Sequence, residues 1–256
     1  MLKNYFKITL RNLRKDKLSS ALNIFGLVIG MVGCLLIGLF VRDELAYDRF
    51  VPNADRVFRI YLNNHGQQGE VRQNAVSPPI FLAQMKQDFP EIEATTRVLN
   101  VFGKPLFRVG EINFLEEKGI YGEANFLNFF GLKLKEGDPK TALSQPENIV
   151  LTETMAKKYF GDEPALNKTI RIDARDARVT GILEEVPAQF HLDFNYVVAF
   201  SFLNQVVPQA RMESWGWQQF FNYIRLKPNV NWQQFDQKLT GFAERHAHPI
   251  TKPDNY

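Results

Sequence analysis

Residues Ala21 to Val41 form an unbroken apolar run, ALNIFGLVIGMVGCLLIGLFV, in which Asn23 is the one polar side chain. At about 1.5 Å per residue, a helix of this length reaches roughly 30 Å, the depth of a bilayer's hydrocarbon core. A cleaved signal sequence has a shorter apolar core followed by small residues, and Leu39-Phe40-Val41-Arg42 is a poor cleavage site. Met31-Val32-Gly33-Cys34 loosely resembles a lipoprotein signal, but the residues after Cys34 stay apolar up to Val41, where such a chain would turn hydrophilic. The run therefore reads as a retained transmembrane helix over residues 19–42.

Charge sets the orientation. Residues 1–20 carry Lys3, Lys7, Arg11, Arg14, Lys15 and Lys17 against Asp16, a net of +5. The whole chain is +3, which leaves −2 for residues 21–256. The basic strip beside a membrane span points to anionic lipid rather than nucleic acid. Short basic flanks stay cytoplasmic, so the N-terminus is expected inside and residues 43–256 outside. Within residues 1–18, Leu2, Tyr5, Phe6, Leu10 and Leu13 follow helical spacing opposite the basic residues, with Ile8 the misfit. That pattern predicts an amphipathic helix in the cytoplasmic interface.

Gly26, Gly30, Cys34 and Gly38 recur every fourth residue. Small residues at that spacing let a second helix approach closely, so the strip is a candidate helix-packing face. Cys34 is the chain's one cysteine and falls mid-span, which leaves the outer part without disulfides or thiol chemistry.

The outer part is expected to be α+β. Val57–Leu62, Ile149–Leu151, Thr169–Asp173, Arg178–Leu183, Tyr196–Phe200 and Phe220–Leu226 read as short strands rich in β-branched and aromatic residues. Ser77 can cap a helix that starts Pro78-Pro79 and buries Phe81, Met85 and Phe89. Thr152 can cap a second that ends at Gly161, and Asn231 a third bearing Trp232, Phe235, Leu239 and Phe242. Strand–helix–strand near 57–100 and strand–strand–helix near 196–245 suggest two porter-like halves of one layer. The strand-rich stretch 103–190 reads as an inserted subdomain.

Catalytic signatures are missing from the pattern. Gly161 to Lys168 is one residue too long for a phosphate-binding loop and lies between a helix and a strand, in reversed order. His246-Ala-His248 lacks nearby acidic or cysteine ligands, and His65 and His191 sit among turn residues. Glu116-Glu117 and Glu184-Glu185 read as solvated strand ends. No cofactor and no metal is expected, and no enzyme activity.

Several segments resemble the MacB-like and FtsX-like permeases of ABC transporters. They are Phe6–Lys15, Glu44-Leu-Ala-Tyr-Asp-Arg-Phe50, Asn53-Ala-Asp-Arg-Val-Phe-Arg59, Asn125-Phe-Leu-Asn-Phe-Phe-Gly131 with Gly137-Asp-Pro139, Ile149–Gly161, Asn167–Ile170 and Val179–Pro187. The likeness runs in order to about residue 230. It implies a permease subunit of the cell inner membrane, whose outer domain moves in response to a cytoplasmic ABC ATPase and which assembles with other permease subunits as a dimer. The family's three further membrane helices have no counterpart in these residues, so a truncated permease or a single-pass accessory is expected. The alternative reading is a single-pass, membrane-anchored binding or sensor module.

Overall fold

The computed structural model describes residues 17–65 and 70–246, together with positions 4, 5, 8, 11 and 15. The interfacial helix expected over residues 1–18 therefore lies, for most of its length, outside the described residues. The chain divides into two units, residues 1–47 and 48–256.

The first unit is dominated by helix α1, Lys17–Glu44, which buries none of its residues. It is the one helix among the described residues long and apolar enough to cross a membrane. Apolar side chains point from every side of it, the pattern of a helix whose solvent is lipid.

The second unit is built on one mixed sheet. Its strands are β1 Val57–Arg59, β4 Ile92–Asn100, β5 Leu106–Val109, β6 Ile112–Leu115, β7 Gly119–Gly122, β8 Leu134–Gly137, β9 Asn148–Thr152, β10 Thr169–Ile172, β11 Arg175–Leu183, β12 Tyr196–Ala199 and β13 Phe221–Leu226. They run in the order β1-β13-β4-β7-β12-β9-β11-β10-β5-β6, with β8 pairing β11. Strands β2 Leu62–His65 and β3 Val71–Asn74 form a separate hairpin. The β9–β11 and β12–β7 pairs are parallel and the others antiparallel. Strands from the segment 103–190 join the same sheet as strands from both flanking segments.

Side-chain alternation explains why the central strands are apolar throughout. On β12, Tyr196 and Val198 enter one core with Ile149, Leu151, Met155 and Tyr159, while Val197 and Ala199 enter another with Val150, Phe126 and Phe130. A third core lies under helices α2 Phe81–Asp88, α7 Trp232–Leu239 and α8 Phe242–His246, where Phe81, Met85, Phe89, Phe235 and Phe242 meet Trp215 and Ile224. Two four-residue helices, α5 Leu203–Val206 and α6 Gln209–Met212, precede β13.

Capping follows the sequence at two of three helices. The Thr152 hydroxyl accepts from the Met155 amide at 3.3 Å and opens α4, Glu153–Phe160, which Gly161 closes. The Asn231 side chain accepts from the Gln234 amide at 2.9 Å and opens α7. Ser77 does not cap α2. It is fully buried, bridged to Phe220, and its hydroxyl accepts from Asn222 Nδ2 at 2.8 Å, so α2 begins three residues later than the prolines suggest. Trp232 also departs from its expected stripe and is exposed. Residues Phe126–Phe130 form α3, a single-turn helix with Phe126, Leu127, Phe129 and Phe130 all buried.

Candidate functional site

In α1, Gly26, Gly30, Cys34 and Gly38 lie one turn apart, and a four-residue step overshoots a 3.6-residue turn by about 40°. The strip thus winds gently around the helix. A Cβ built on any of the three glycines meets nothing within 4 Å, so the strip is open along its length. Cys34 is exposed and unpaired by any disulfide.

In the outer unit, three sequence-distant side chains form a hydrogen-bonded chain. Asp48 Oδ1 accepts from the backbone N–H of His191 at 3.2 Å and lies 2.8 Å from His191 Nδ1. His191 Nε2 lies 2.7 Å from the Tyr223 hydroxyl. A carboxylate can only accept, so Nδ1 carries the ring proton, and in the neutral ring Nε2 accepts from Tyr223. Burial pushes the Tyr223 hydroxyl well above its ordinary value of 10; the Arg59 charge pulls it back and the Asp48 charge adds to the rise. Tyr223 therefore stays a donor.

Local structure sets this geometry. Asp48 takes φ +58°, a left-handed turn that short polar side chains tolerate, and its amide donates to the Gln189 carbonyl at 2.8 Å. Tyr223 is fixed mid-strand in β13, and the Phe130 ring packs edge-on against it at 5.1 Å and against Phe190 at 5.3 Å. Gly131 closes α3 at φ +69°, and a Cβ there would come within 2.6 Å of Pro52 Cδ. Only glycine gives the segment 50–52 room beside the aromatic cluster.

Beside the chain lies a cavity of about 280 Å³ lined by Asp48, Val51, Ala54, Val57, Arg59, Phe130, His191 and Tyr223. Asp48, Ala54, Val57, Arg59 and Phe130, which belong to three of the segments that carry the family resemblance, thus converge on one place. His191 is not a free turn residue. Its ring contacts lie 143 and 32 positions away in sequence, beyond the reach of spacing arguments.

The other candidates behave differently. Glu116 is buried rather than solvated: its Oε1 accepts from Lys158 Nζ at 2.6 Å and from the Tyr159 hydroxyl at 2.5 Å. Burial, followed by the Glu116 hydrogen bond, raises the Tyr159 hydroxyl far above its usual range. Glu117 is exposed and paired with Lys104, whose ammonium holds it below its ordinary value. Glu184 and Glu185 are exposed. His246 bonds Asp88 Oδ2 at 2.8 Å and stacks on Trp215, while His248 lies outside the described residues. Lys168 pairs with Glu163 after the helix end at Gly161, in a turn that leads into β10. Among the described residues, no group of three or more His, Cys, Asp or Glu is placed to hold a metal ion.

A membrane-length helix leads into a domain built on a mixed sheet, and solved structures share that fold. A domain of a protein assigned as a permease from Porphyromonas gingivalis matches with a TM-score of 0.69 at 21% identity, over 81% of this chain and 88% of that one. The periplasmic region of MacB from Actinobacillus actinomycetemcomitans matches with a TM-score of 0.55 at 19% identity, over 79% and 88%. The extracellular domain of the noncanonical ABC-type transporter YknZ from Gram-positive bacteria matches with 0.50 at 14%, over 74% and 94%. No curated protein sequence matches the chain. The chain belongs to the MacB-like periplasmic core domain family, whose sequence model matches residues 20–242.

Proposed function

We propose that this chain is a component of an ABC-type export or mechanotransmission permease, with α1 crossing the inner membrane and residues 43–256 outside. The observation that carries the reading is the family match across residues 20–242, which covers both the apolar helix and the outer unit. Basic residues before α1 favour a cytoplasmic N-terminus in contact with anionic lipid. A partner ATPase supplies the energy, and the outer unit moves as a body. The strip Gly26, Gly30, Cys34 and Gly38 seats another permease helix, consistent with its open surface.

The covalent path from α1 into the outer unit passes through Tyr47 and Asp48. Asp48 is tied by its amide to Gln189 and by its carboxylate to His191, which is tied to Tyr223 in the sheet. In this reading the Asp48–His191–Tyr223 chain is the fastening through which movement of the helix reaches the sheet. The test is purification of the full chain from its native membrane after mild crosslinking. An ATPase of the ABC class should co-purify, and Gly30→Leu should weaken recovery of the permease partner while leaving outer-unit unfolding unchanged. A membrane complex without any such ATPase would overturn the reading.

A further inference from the structure

Asp48 and Arg59 line the same 280 Å³ cavity with opposite charges, yet no ion pair joins them among the described residues. Each is held in place by other groups. Arg59 Nε donates to the Ala75 carbonyl at 2.8 Å, and its guanidinium centre sits 4.1 Å from the Phe221 ring centroid. Asp48 commits Oδ1 to His191, and no described residue bonds its Oδ2. Tyr223 gives its proton to His191 and so keeps acceptor capacity on its oxygen. Both residues share the cavity wall with Tyr223, and their charges act on its hydroxyl in opposite directions. The rest of the wall, Val51, Ala54, Val57 and Phe130, is apolar.

Two fixed opposite charges flanking an apolar pocket match a ligand with opposite charges at one end and an aliphatic body. The volume, about 280 Å³, falls just below the roughly 300–1,000 Å³ that pockets for drug-sized ligands occupy. That accommodates a molecule of amino-acid size and excludes a folded segment. We infer that this cavity binds a small aliphatic α-amino acid. The ammonium is held by Asp48 Oδ2 and the Tyr223 oxygen, the carboxylate by Arg59, and the alkyl group by Val51, Val57 and Phe130. The inference does not rest on the permease reading, because binding is measured without an ATPase.

The experiment is calorimetric titration of the full chain in detergent micelles with L-leucine, 4-methylpentanoate and isoamylamine, which keep both charges, the carboxylate alone and the ammonium alone. Leucine is expected to bind with a Kd below about 1 mM, and each analogue at least about tenfold more weakly. Arg59→Gln and Asp48→Asn should each weaken leucine binding by about tenfold or more. Because Asp48→Asn also touches the His191 fastening, Ala54→Leu serves as a second variant: it fills the cavity from an exposed position and should abolish binding while the tryptophan-monitored melt stays unchanged. No heat with leucine at about ten times that concentration, equal binding of the single-charge analogues, or full affinity in a folded Ala54→Leu chain would each overturn the assignment.

Discussion

The Asp48–His191–Tyr223 chain makes a quantitative prediction about coupling. Tyr223→Phe removes a hydroxyl whose partner, His191, has a side chain 25% exposed, so water can replace the lost donor. The cost should be about 1 kcal/mol. His191→Ala is worse, because it leaves the hydroxyl of Tyr223, 2% exposed, without its acceptor and removes the ring donor from Asp48. An orphaned buried group and a lost charge-assisted bond together should cost about 2–4 kcal/mol. In the double variant the orphaned hydroxyl no longer exists, so its penalty disappears, and the total should fall short of the sum by about 1–2 kcal/mol. Trp215, Trp217 and Trp232 all lie in the outer unit, so tryptophan fluorescence in urea reports that unit alone, even with α1 held in a micelle. A stability change of 1 kcal/mol should also move the thermal midpoint by roughly 2–4 °C for a domain of this size. Additivity within about 0.5 kcal/mol would refute the argument, since it would mean that His191 and Tyr223 do not share a bond that matters.

Further variants probe other parts of the outer unit by the same urea measurement. Gly131→Ala must adopt φ +69° and place a Cβ 2.6 Å from Pro52 Cδ; a loss of about 2 kcal/mol or more is expected, and a neutral result would remove the close approach from the account. Lys158→Ala leaves the buried Glu116 carboxylate with Tyr159 alone. Lys158 is 36% exposed, so the loss should be about 1–3 kcal/mol rather than the full cost of breaking a buried pair, and an unchanged urea midpoint would count against the clamp. The Glu91 carboxyl is held below its ordinary 4.5, first by its hydrogen bond to Lys238. A depressed acid stabilises above its unfolded pKa and loses that contribution as pH falls through the folded value. Glu91→Gln should therefore cost about 0.2–1 kcal/mol at pH 7, and the difference from the parent chain should vanish on acidification below pH 4.5. A difference that persists unchanged in acid would assign the effect to packing.

Much of the sheet is legible in the sequence because its central strands are buried on both faces. Ile149–Leu151 and Tyr196–Phe200 are continuous apolar runs bounded by polar turns, and they form β9 and β12. Strand β4, the second strand of the unit expected near 57–100, has no bounds legible in the sequence: Glu93, Thr95, Thr96 and Arg97 interrupt it, and tertiary partners make those residues tolerable. Arg97 is satisfied by Glu123 at 2.6 Å and by the Pro79 carbonyl at 3.0 Å, neither of which a local window contains. Helix α3 is too short for periodicity to register, and its aromatic run could equally have been a strand. The cavity was half visible. Asp48, Ala54, Val57, Arg59 and Phe130 sit in the segments that carry the family likeness, whereas His191 and Tyr223 are brought in only by the fold.

The strand order also bears on how the outer unit is made. Val57 pairs with Arg225, and β13 lies between β1 and β4. Among the described residues, the last strand in sequence is therefore the one that joins the first two of the main sheet. Until residue 226 or so has crossed the membrane, β4 has one bare edge and β1 has no neighbour at all. Such long-range closure is slow and leaves sticky edges waiting, so a chain halted before β13 should be a target for periplasmic chaperones and proteases rather than a half-built domain.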